Sequence, residues 1–238
     1  MITASALRRH CGYAKVLSNR PPVGAKEIAA RDRRDEAAAR GTIFHAAIEA
    51  WVKTGTPGVV ADPEIQGWID LLAMQWAPPP GSVTEEAWGL SPEGDYVHVL
   101  EPEPHVYVSV KGEPLLTAGR SDISWPAPGT DPHRPIYVLD WKTGKWPVTP
   151  PAANLQINAA GISHARGLLA STYVPGIYYT RDGVFEWGEP VELGSLAHAQ
   201  ILADVMAAAL LDEQPRPGPH CNDCWERKAC AHALTEAA

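Results

Sequence analysis

The sequence lacks the features that define membrane, secreted and fibrous proteins. None of its apolar stretches reaches the roughly 18–20 residues that a membrane span needs, and no apolar signal segment follows Met1. It has no internal repeat and no long low-complexity run, although it contains 23 prolines and 20 glycines. These absences predict a globular protein of the cytoplasm. A chain of 238 residues is long enough to bury a substantial core.

Cysteine is scarce and unevenly placed. Cys221, Cys224 and Cys230 form a C-x2-C-x5-C pattern near the C-terminus, and Cys11 lies 210 positions before the first of them. Two disulfides are not expected in a reducing compartment. Four thiolates therefore indicate one metal centre, either an iron–sulfur cluster or a structural zinc, with four unrelated buried cysteines as the alternative. The spacing does not separate iron–sulfur from zinc, although a zinc ribbon normally has two C-x2-C pairs and this chain has one.

Positive charge is scarce overall, since the net charge is −8. Residues 1–40 are the exception, with nine basic and four acidic residues, whereas the other 198 residues carry 11 basic and 24 acidic groups. An acidic total argues against a bulk nucleic-acid coat. The basic N-terminal part still permits local contacts with phosphates, for which Arg31, Arg33 and Arg34 are the candidates. The alternative is that these arginines only solvate a helix surface.

The hydrophobic periodicity predicts a mixed α/β protein. Apolar residues recur at helical spacing in five segments and alternate as in strands in seven others, separated by Gly/Pro turns. The predicted helices are 3–17, 36–53, 63–76, 151–169 and 194–213, the predicted strands are 83–90, 96–101, 105–110, 115–125, 135–141, 173–180 and 184–187, and 19–26 is a predicted loop. This order indicates a mixed central sheet with helices on its faces.

Two of the predicted strands carry acidic residues at their ends. Asp122 follows Gly119 in one strand, and Asp140 and Lys142 end the next. Side chains at positions i and i+2 of a strand point to the same side, so Asp140 and Lys142 are expected to share one cleft. A surface ion pair is the plainer interpretation. Two carboxylates beside a lysine also suit a hard cation such as Mg²⁺ or Mn²⁺, which can stabilise charge on a phosphodiester.

Two further candidates lie on predicted helices. His45 follows Gly41 at a spacing of four, and Glu49 one turn later could orient it or face solvent. A lone histidine on an apolar helix is more often a packed core group. Gln156 falls in the helix after the Asp-x-Lys strand, where an exposed position is the alternative. The seven histidines other than His45 and His220 show no usable spacing, and His10 and His220 flank cysteines.

These motifs, taken in order, resemble the RecB-like branch of the PD-(D/E)XK nuclease superfamily. The four motifs are G-x-x-x-H at Gly41–His45, G-x-x-D at Gly119–Asp122, D-x-K at Asp140–Lys142 and the helical Gln156. The four cysteines are similar to those of the iron–sulfur members, namely the CRISPR-associated RecB-like exonucleases and the AddB nuclease domain. The resemblance covers residues from about 5 to 231, and only the complete set is specific.

The resemblance implies a role for each motif residue. His45, Asp122, Asp140 and the Trp141 carbonyl would bind Mg²⁺ or Mn²⁺, Lys142 would be the catalytic lysine, and Gln156 a positioning residue. The four cysteines would hold a [4Fe–4S] cluster, with zinc as the alternative. One position departs from the family, because Ala160 stands where the fourth motif usually continues with a tyrosine. Tyr173, Tyr178 and Tyr179 are the candidates to replace it.

The sequence therefore predicts a metal-dependent deoxyribonuclease with a restriction-endonuclease-like core, acting as an exonuclease on DNA with a free end. One nuclease domain spans 1–238, in which 1–35 and 214–238 form an iron–sulfur subdomain around a 36–213 catalytic core. The alternatives are an inactive nucleic-acid-binding scaffold of the same fold and a zinc-stabilised endonuclease. A bacterial, archaeal or phage-infected cell is the expected setting, with recombination, CRISPR-adaptation or viral replication proteins as expected partners.

Overall fold

The computed structural model describes residues 2–3, 25–144 and 148–210. Its helices are α1 (Ala25–Thr54), α2 (Pro63–Ala73), α3 (Leu155–Gly167) and α4 (Leu196–Ala209), with a 3-10 turn at Pro151–Ala153. Its strands are β1 (Ile2–Thr3), β2 (Val83–Leu90), β3 (Tyr96–Val97), β4 (Val99–Glu103), β5 (Val106–Ser109), β6 (Thr117–Pro126), β7 (Ile136–Lys142), β8 (Thr172–Tyr179), β9 (Val184–Trp187) and β10 (Val191–Glu192).

The predicted mixed central sheet is confirmed. Its strands follow the order β10-β8-β7-β6-β2-β3, with β1 also paired to β6 and β9 to β8. β7 and β8 run parallel, whereas β6 is antiparallel to both β7 and β2. The hairpin of β4 and β5 is a separate two-stranded sheet. The parallel pair requires a crossover, and α3 lies in the connection between β7 and β8.

The sheet is covered by helices on both faces, and β7 shows this most clearly. Its residues Tyr137, Leu139 and Trp141 pack in the cluster formed with α1 and α2. Ile136 and Val138, which alternate with them, pack in the cluster formed with α3 and α4. A strand that is buried on both faces has a nearly continuous apolar sequence. This explains why β7 is recognisable from its residues alone.

Helix α1 begins earlier than the sequence predicts, at Ala25 and not at Glu36. Residues 25–35 are rich in alanine and charged residues, which favour a helix without forming an apolar stripe. Ala25 and Lys26, predicted as loop, are therefore helical. The predicted boundary between 35 and 36 falls inside α1, so one helix continues from the proposed subdomain into the proposed core. The rest of that subdomain, 4–24 and 214–238, lies outside the described residues, as does most of the predicted 3–17 helix.

The predicted helix 151–169 is divided in the structure. Asn154 ends the 3-10 turn and caps α3, because its Oδ1 accepts hydrogen bonds from the backbone N–H groups of Gln156 and Ile157. Ser195 caps α4 in the same way through the N–H of His198. Within the ranges that the structure describes, no helix combines the length and the apolar character that crossing a membrane requires.

Candidate functional site

The candidate site lies where strands β6 and β7 separate. Their ladder pairs Ile123 with Leu139 and continues from there toward Pro126 and Ile136. On the other side of this pair come Asp122 and Asp140, and there the Trp141 N–H donates a hydrogen bond of 2.7 Å to Asp122 Oδ2. The carboxylate of Asp122 thus takes the place of a backbone acceptor. The divergence of the two strands leaves room for both acidic side chains at one end of the ladder.

Helix α1 brings His45 to this end of the sheet. Phe44, the residue before it, is fully buried and meets the Trp141 ring edge-on, with ring centroids 5.9 Å apart. Gly41 lies one turn earlier, where an added Cβ would come within 3.1 Å of Thr143 Oγ1. A glycine at this position therefore lets α1 approach the end of β7 closely. This explains why a glycine one turn before His45 suits the G-x-x-x-H motif.

His45 contacts two carboxylates, one of which the sequence did not predict. Its Nδ1 lies 3.2 Å from Glu85 Oε1 and 3.6 Å from Asp122 Oδ1. One ligand atom from each of the three residues lies within 4.8 Å of the others, a grouping that could hold a metal ion. Glu49, the predicted alternative for orienting His45, instead accepts a hydrogen bond of 2.6 Å from Lys53.

Glu85 occupies an unusual position in strand β2. Its φ of 54° lies in the left-handed region, which non-glycine residues seldom adopt. The ladder pairs Thr84 with Ile123 and Glu86 with Ser121, so Glu85 stands opposite Asp122 between two regular pairs. Strained backbone of this kind is concentrated at functional sites. The signal in the sequence was a pair of adjacent glutamates within an otherwise apolar strand.

The electrostatics of the site favour a bound positive charge. Burial opposes a proton on His45, but the surrounding carboxylates, led by Asp122 and Glu85, outweigh burial and raise the pKa of His45 to about 9. Burial raises the pKa of Asp122 to about 6, and the nearby charge of Asp140 adds to that rise. Carboxylates that are buried together disfavour one another's charge until a cation or a proton neutralises them.

Asp140 and Lys142 form a pair beside this group. The Lys142 ammonium contacts Asp140 Oδ2, as the i and i+2 spacing predicts, and both side chains are largely buried. Asp140 lies near enough to Asp122 for its charge to raise the pKa of that carboxyl, but it lies outside the three-residue grouping. The Trp141 carbonyl, a further predicted ligand, lies in the chain between Asp140 and Lys142.

Arg120 supports the site from the strand that carries Asp122. Its Nη1 donates a hydrogen bond of 3.4 Å to Glu85 Oε2, and its Nε donates one of 2.8 Å to Glu101 Oε2. Burial opposes deprotonated Glu85, but the contacts with His45 and Arg120 dominate and lower the pKa of Glu85. Glu85 therefore remains a carboxylate, the form that binds a cation.

Gln156 lies in the first turn of α3 and is half-buried. Its backbone N–H is used by the Asn154 cap. Ala160, one turn later, is 3% exposed and packs in the core between α3 and the sheet. A tyrosine at this position would require more space than the packed interface provides.

The three tyrosines that could replace the missing one have different surroundings. The hydroxyl of Tyr173 donates a hydrogen bond of 2.9 Å to Asn158 Oδ1 in the core. Tyr178 is fully buried in the cluster with α1 and α2. Tyr179 is the register partner of Lys142 on the neighbouring strand. Its hydroxyl donates a hydrogen bond of 3.1 Å to Glu186 Oε2.

The remaining predicted site residues lie outside what the structure describes. Arg31, Arg33 and Arg34 belong to helix α1, but their side chains are among the undescribed parts of the chain. The same holds for the complete cysteine set, consisting of Cys11, Cys221, Cys224 and Cys230. The metal centre predicted for these cysteines therefore stays a prediction.

Comparison with known proteins assigns neither a family nor a function. A scan against protein-family models finds no match, and a search of curated proteins finds none. The crystal structure of SSO0001 matches this chain with a TM-score of 0.45 and 16% sequence identity, over 98% of this chain and 86% of that chain. A match of this size identifies no relationship on which a function could be based.

Proposed function

We propose that this protein is a metal-dependent DNA nuclease with a restriction-endonuclease-like PD-(D/E)XK core, and that it acts as an exonuclease. The observation that carries the proposal is the meeting of His45, Glu85 and Asp122 beside the Asp140–Lys142 pair. An imidazole and carboxylates are suitable ligands for Mn²⁺ or Mg²⁺, and such a cation supplies Lewis-acid stabilisation of a phosphodiester. The resemblance to RecB-like nucleases supports the same reaction.

Each residue has a role in this proposal. His45, Glu85 and Asp122 would hold the cation, which displaces the proton from His45, with Asp140 and the Trp141 carbonyl as the further ligands that the resemblance implies. Lys142, held by Asp140, orients the water that attacks phosphorus as the bond to the leaving oxygen breaks. Gln156 positions the substrate. Cys11 and the three C-terminal cysteines hold a [4Fe–4S] cluster, or a zinc ion in its place, and take no part in the chemical step.

DNA digestion by full-length protein purified without oxygen tests the proposal. Linear and closed circular DNA are incubated with Mn²⁺, with Mg²⁺ and with excess EDTA. An exonuclease degrades only the linear form, whereas cutting of closed circles identifies an endonuclease. Activity in excess EDTA contradicts the metal site. Binding of DNA without cleavage under every condition identifies the inactive scaffold.

Two lysine variants separate a catalytic role from a general effect of charge. Lys142→Ala is expected to lower the cleavage rate by about 10²-fold or more, because a group that acts on the attacking water contributes about that much. Lys53→Ala is the matched control, since Lys53 pairs with a carboxylate at the exposed end of α1. A wild-type rate in Lys142→Ala would contradict the role of this lysine.

A stability measurement tests the cation site without using activity. A cation that binds only the folded chain at about 100 times its dissociation constant adds about 2.7 kcal/mol to the free energy of unfolding. The melting temperature in Mn²⁺ should therefore exceed that in EDTA. Glu85→Gln should reduce this difference, whereas Glu49→Gln, on the surface of α1, should leave it unchanged.

A further inference from the structure

A second polar cluster lies on the side of the sheet that α3 covers, whereas His45 reaches the candidate metal site from α1. It consists of Ser121 in β6, His164 in α3 and Glu86 in β2. Ser121 Oγ and His164 Nε2 are joined by a hydrogen bond of 2.8 Å. On the other side of the imidazole ring, His164 Nδ1 lies 3.4 Å from Glu86 Oε2. We refer to these three residues as the Ser–His–Glu cluster.

The cluster adjoins the candidate ligands in the chain. Ser121 immediately precedes Asp122, and Glu86 immediately follows Glu85. Each of these two cluster residues is therefore the chain neighbour of a candidate ligand in the same strand. Ser121 and Glu86 are also register partners, at the regular pair next to the unusual position of Glu85. His164 therefore joins β2 to β6 directly beside the place where the ligands face each other.

Helix α3 carries His164 on the same side as two residues of the fourth motif. His164 lies four residues after Ala160 and eight after Gln156, which places the three on one side of the helix. Ala160 stands where the RecB-like nucleases usually have a tyrosine. The polar contact between this helix face and the strand of Asp122 is made one turn later, by His164.

The burial of Ser121 and His164 excludes a direct chemical role for these two side chains. Ser121 is 5% exposed and His164 is 4% exposed, so a polymeric substrate does not reach either side chain. Burial lowers the pKa of His164 to about 4, and the ring is therefore neutral at neutral pH. A neutral imidazole has one donor and one acceptor. With the proton on Nδ1, it faces the Glu86 carboxylate as a donor and accepts from the Ser121 hydroxyl.

We propose that His164 is a positioning residue, which holds Asp122 and Glu85 at the correct separation for a divalent cation by fixing their chain neighbours Ser121 and Glu86. The inference rests on the proposed metal site and adds to it a residue that does not touch the cation. Groups that hydrogen-bond directly to metal ligands typically change metal affinity by about 10–100-fold when they are removed, and His164, which acts through Ser121 and Glu86, is expected to fall at the low end of that range.

Calorimetric titration of the full-length protein with Mn²⁺, after dialysis against EDTA and then buffer, tests this inference. His164→Leu is expected to weaken Mn²⁺ binding by about tenfold or more. Ser121→Ala removes the other end of the hydrogen bond at less risk to the fold and should weaken binding in the same direction. His164→Gln retains a polar group toward Ser121 and should recover part of the affinity.

Ser163→Ala is the matched control. Ser163 is also buried in α3, and its hydroxyl donates a hydrogen bond of 3.0 Å to the Gly89 carbonyl of β2, farther along the strand from Glu85. It should lower the melting temperature and leave the Mn²⁺ affinity within about twofold, because it loosens the same helix without touching the Ser–His–Glu cluster.

The outcomes separate this inference from the metal site itself. Wild-type Mn²⁺ affinity in both His164→Leu and Ser121→Ala overturns the positioning role and leaves the proposed function intact. An equal loss of affinity in Ser163→Ala also overturns it, because the effect would then reflect helix packing in general. A wild-type protein that does not bind Mn²⁺ overturns the metal site and the inference together.

Discussion

Replacing His164 by glutamine is expected to change how the stability of the protein depends on pH. The ordinary pKa of 6.5 applies to histidine in the unfolded chain, whereas burial lowers the pKa of His164 to about 4 in the folded chain. Between these values the unfolded chain binds a proton that the folded chain does not. The wild-type protein therefore loses stability as the pH falls from about 6.5 toward 4. The difference between the two pKa values corresponds to about 3 kcal/mol.

One charged neighbour opposes this effect. Glu86 faces the imidazole at 3.4 Å and would raise the pKa of His164 if its charge were fully felt. However, 43% of the Glu86 side chain is exposed, so water screens the attraction. His164 is almost completely enclosed, and desolvation of its charged form is therefore the larger effect.

Urea unfolding in EDTA, at several pH values between 4 and 7, measures this difference. EDTA removes any contribution from bound cations, and the comparison of wild type with His164→Gln cancels groups that titrate equally in both proteins. The stability of wild type relative to the variant should fall by up to about 3 kcal/mol toward pH 4. If it rises instead, the attraction of Glu86 dominates, and the reasoning from burial is wrong.

Further predictions concern packing, the cysteines and the basic residues. Gly161→Ala should destabilise the protein by about 1–3 kcal/mol in urea unfolding, because the new Cβ would lie 2.2 Å from the Tyr173 ring; Gly67→Ala in α2, with nothing within 4 Å, should be neutral or stabilising. Cys11→Ala should bleach a brown protein and lower its melting temperature, whereas colourless wild-type protein with about one zinc per chain would identify a zinc site. Neutralising Arg31, Arg33 and Arg34 together should weaken DNA binding evenly across sequences and reduce its salt dependence. An unchanged dependence of binding on salt would mean that these arginines only solvate the helix surface.

Local pattern was sufficient for most secondary structure in the described ranges. Strands β2 and β9 have the predicted bounds of 83–90 and 184–187. The alternation of polar and apolar residues in a strand depends only on residues that are close in the chain. The same is true of the continuous apolar run of a strand that is buried on both faces. The start of α1 could not be predicted in this way, because its first residues are helical without having an apolar face.

The candidate site was predictable only in part. The spacing of Asp140 and Lys142 implies a shared side, since alternation along one strand is a local property. For Glu85 the local signal was limited to the pair of adjacent glutamates in β2, and His164 had none. Their importance arises from the register between β2 and β6 and from the packing of α3, which join residues far apart in the chain.

The sequence by itself determined the fold class, the order of most elements and the shared side of Asp140 and Lys142, because periodicity and strand alternation act over a few residues. The tertiary structure alone decided which side chains meet. It set Glu85 and Asp122 opposite each other around His45, and it placed His164 against the chain neighbours of those two acidic residues. These encounters depend on strand register and on the divergence of β6 from β7, which are settled by packing across the whole domain.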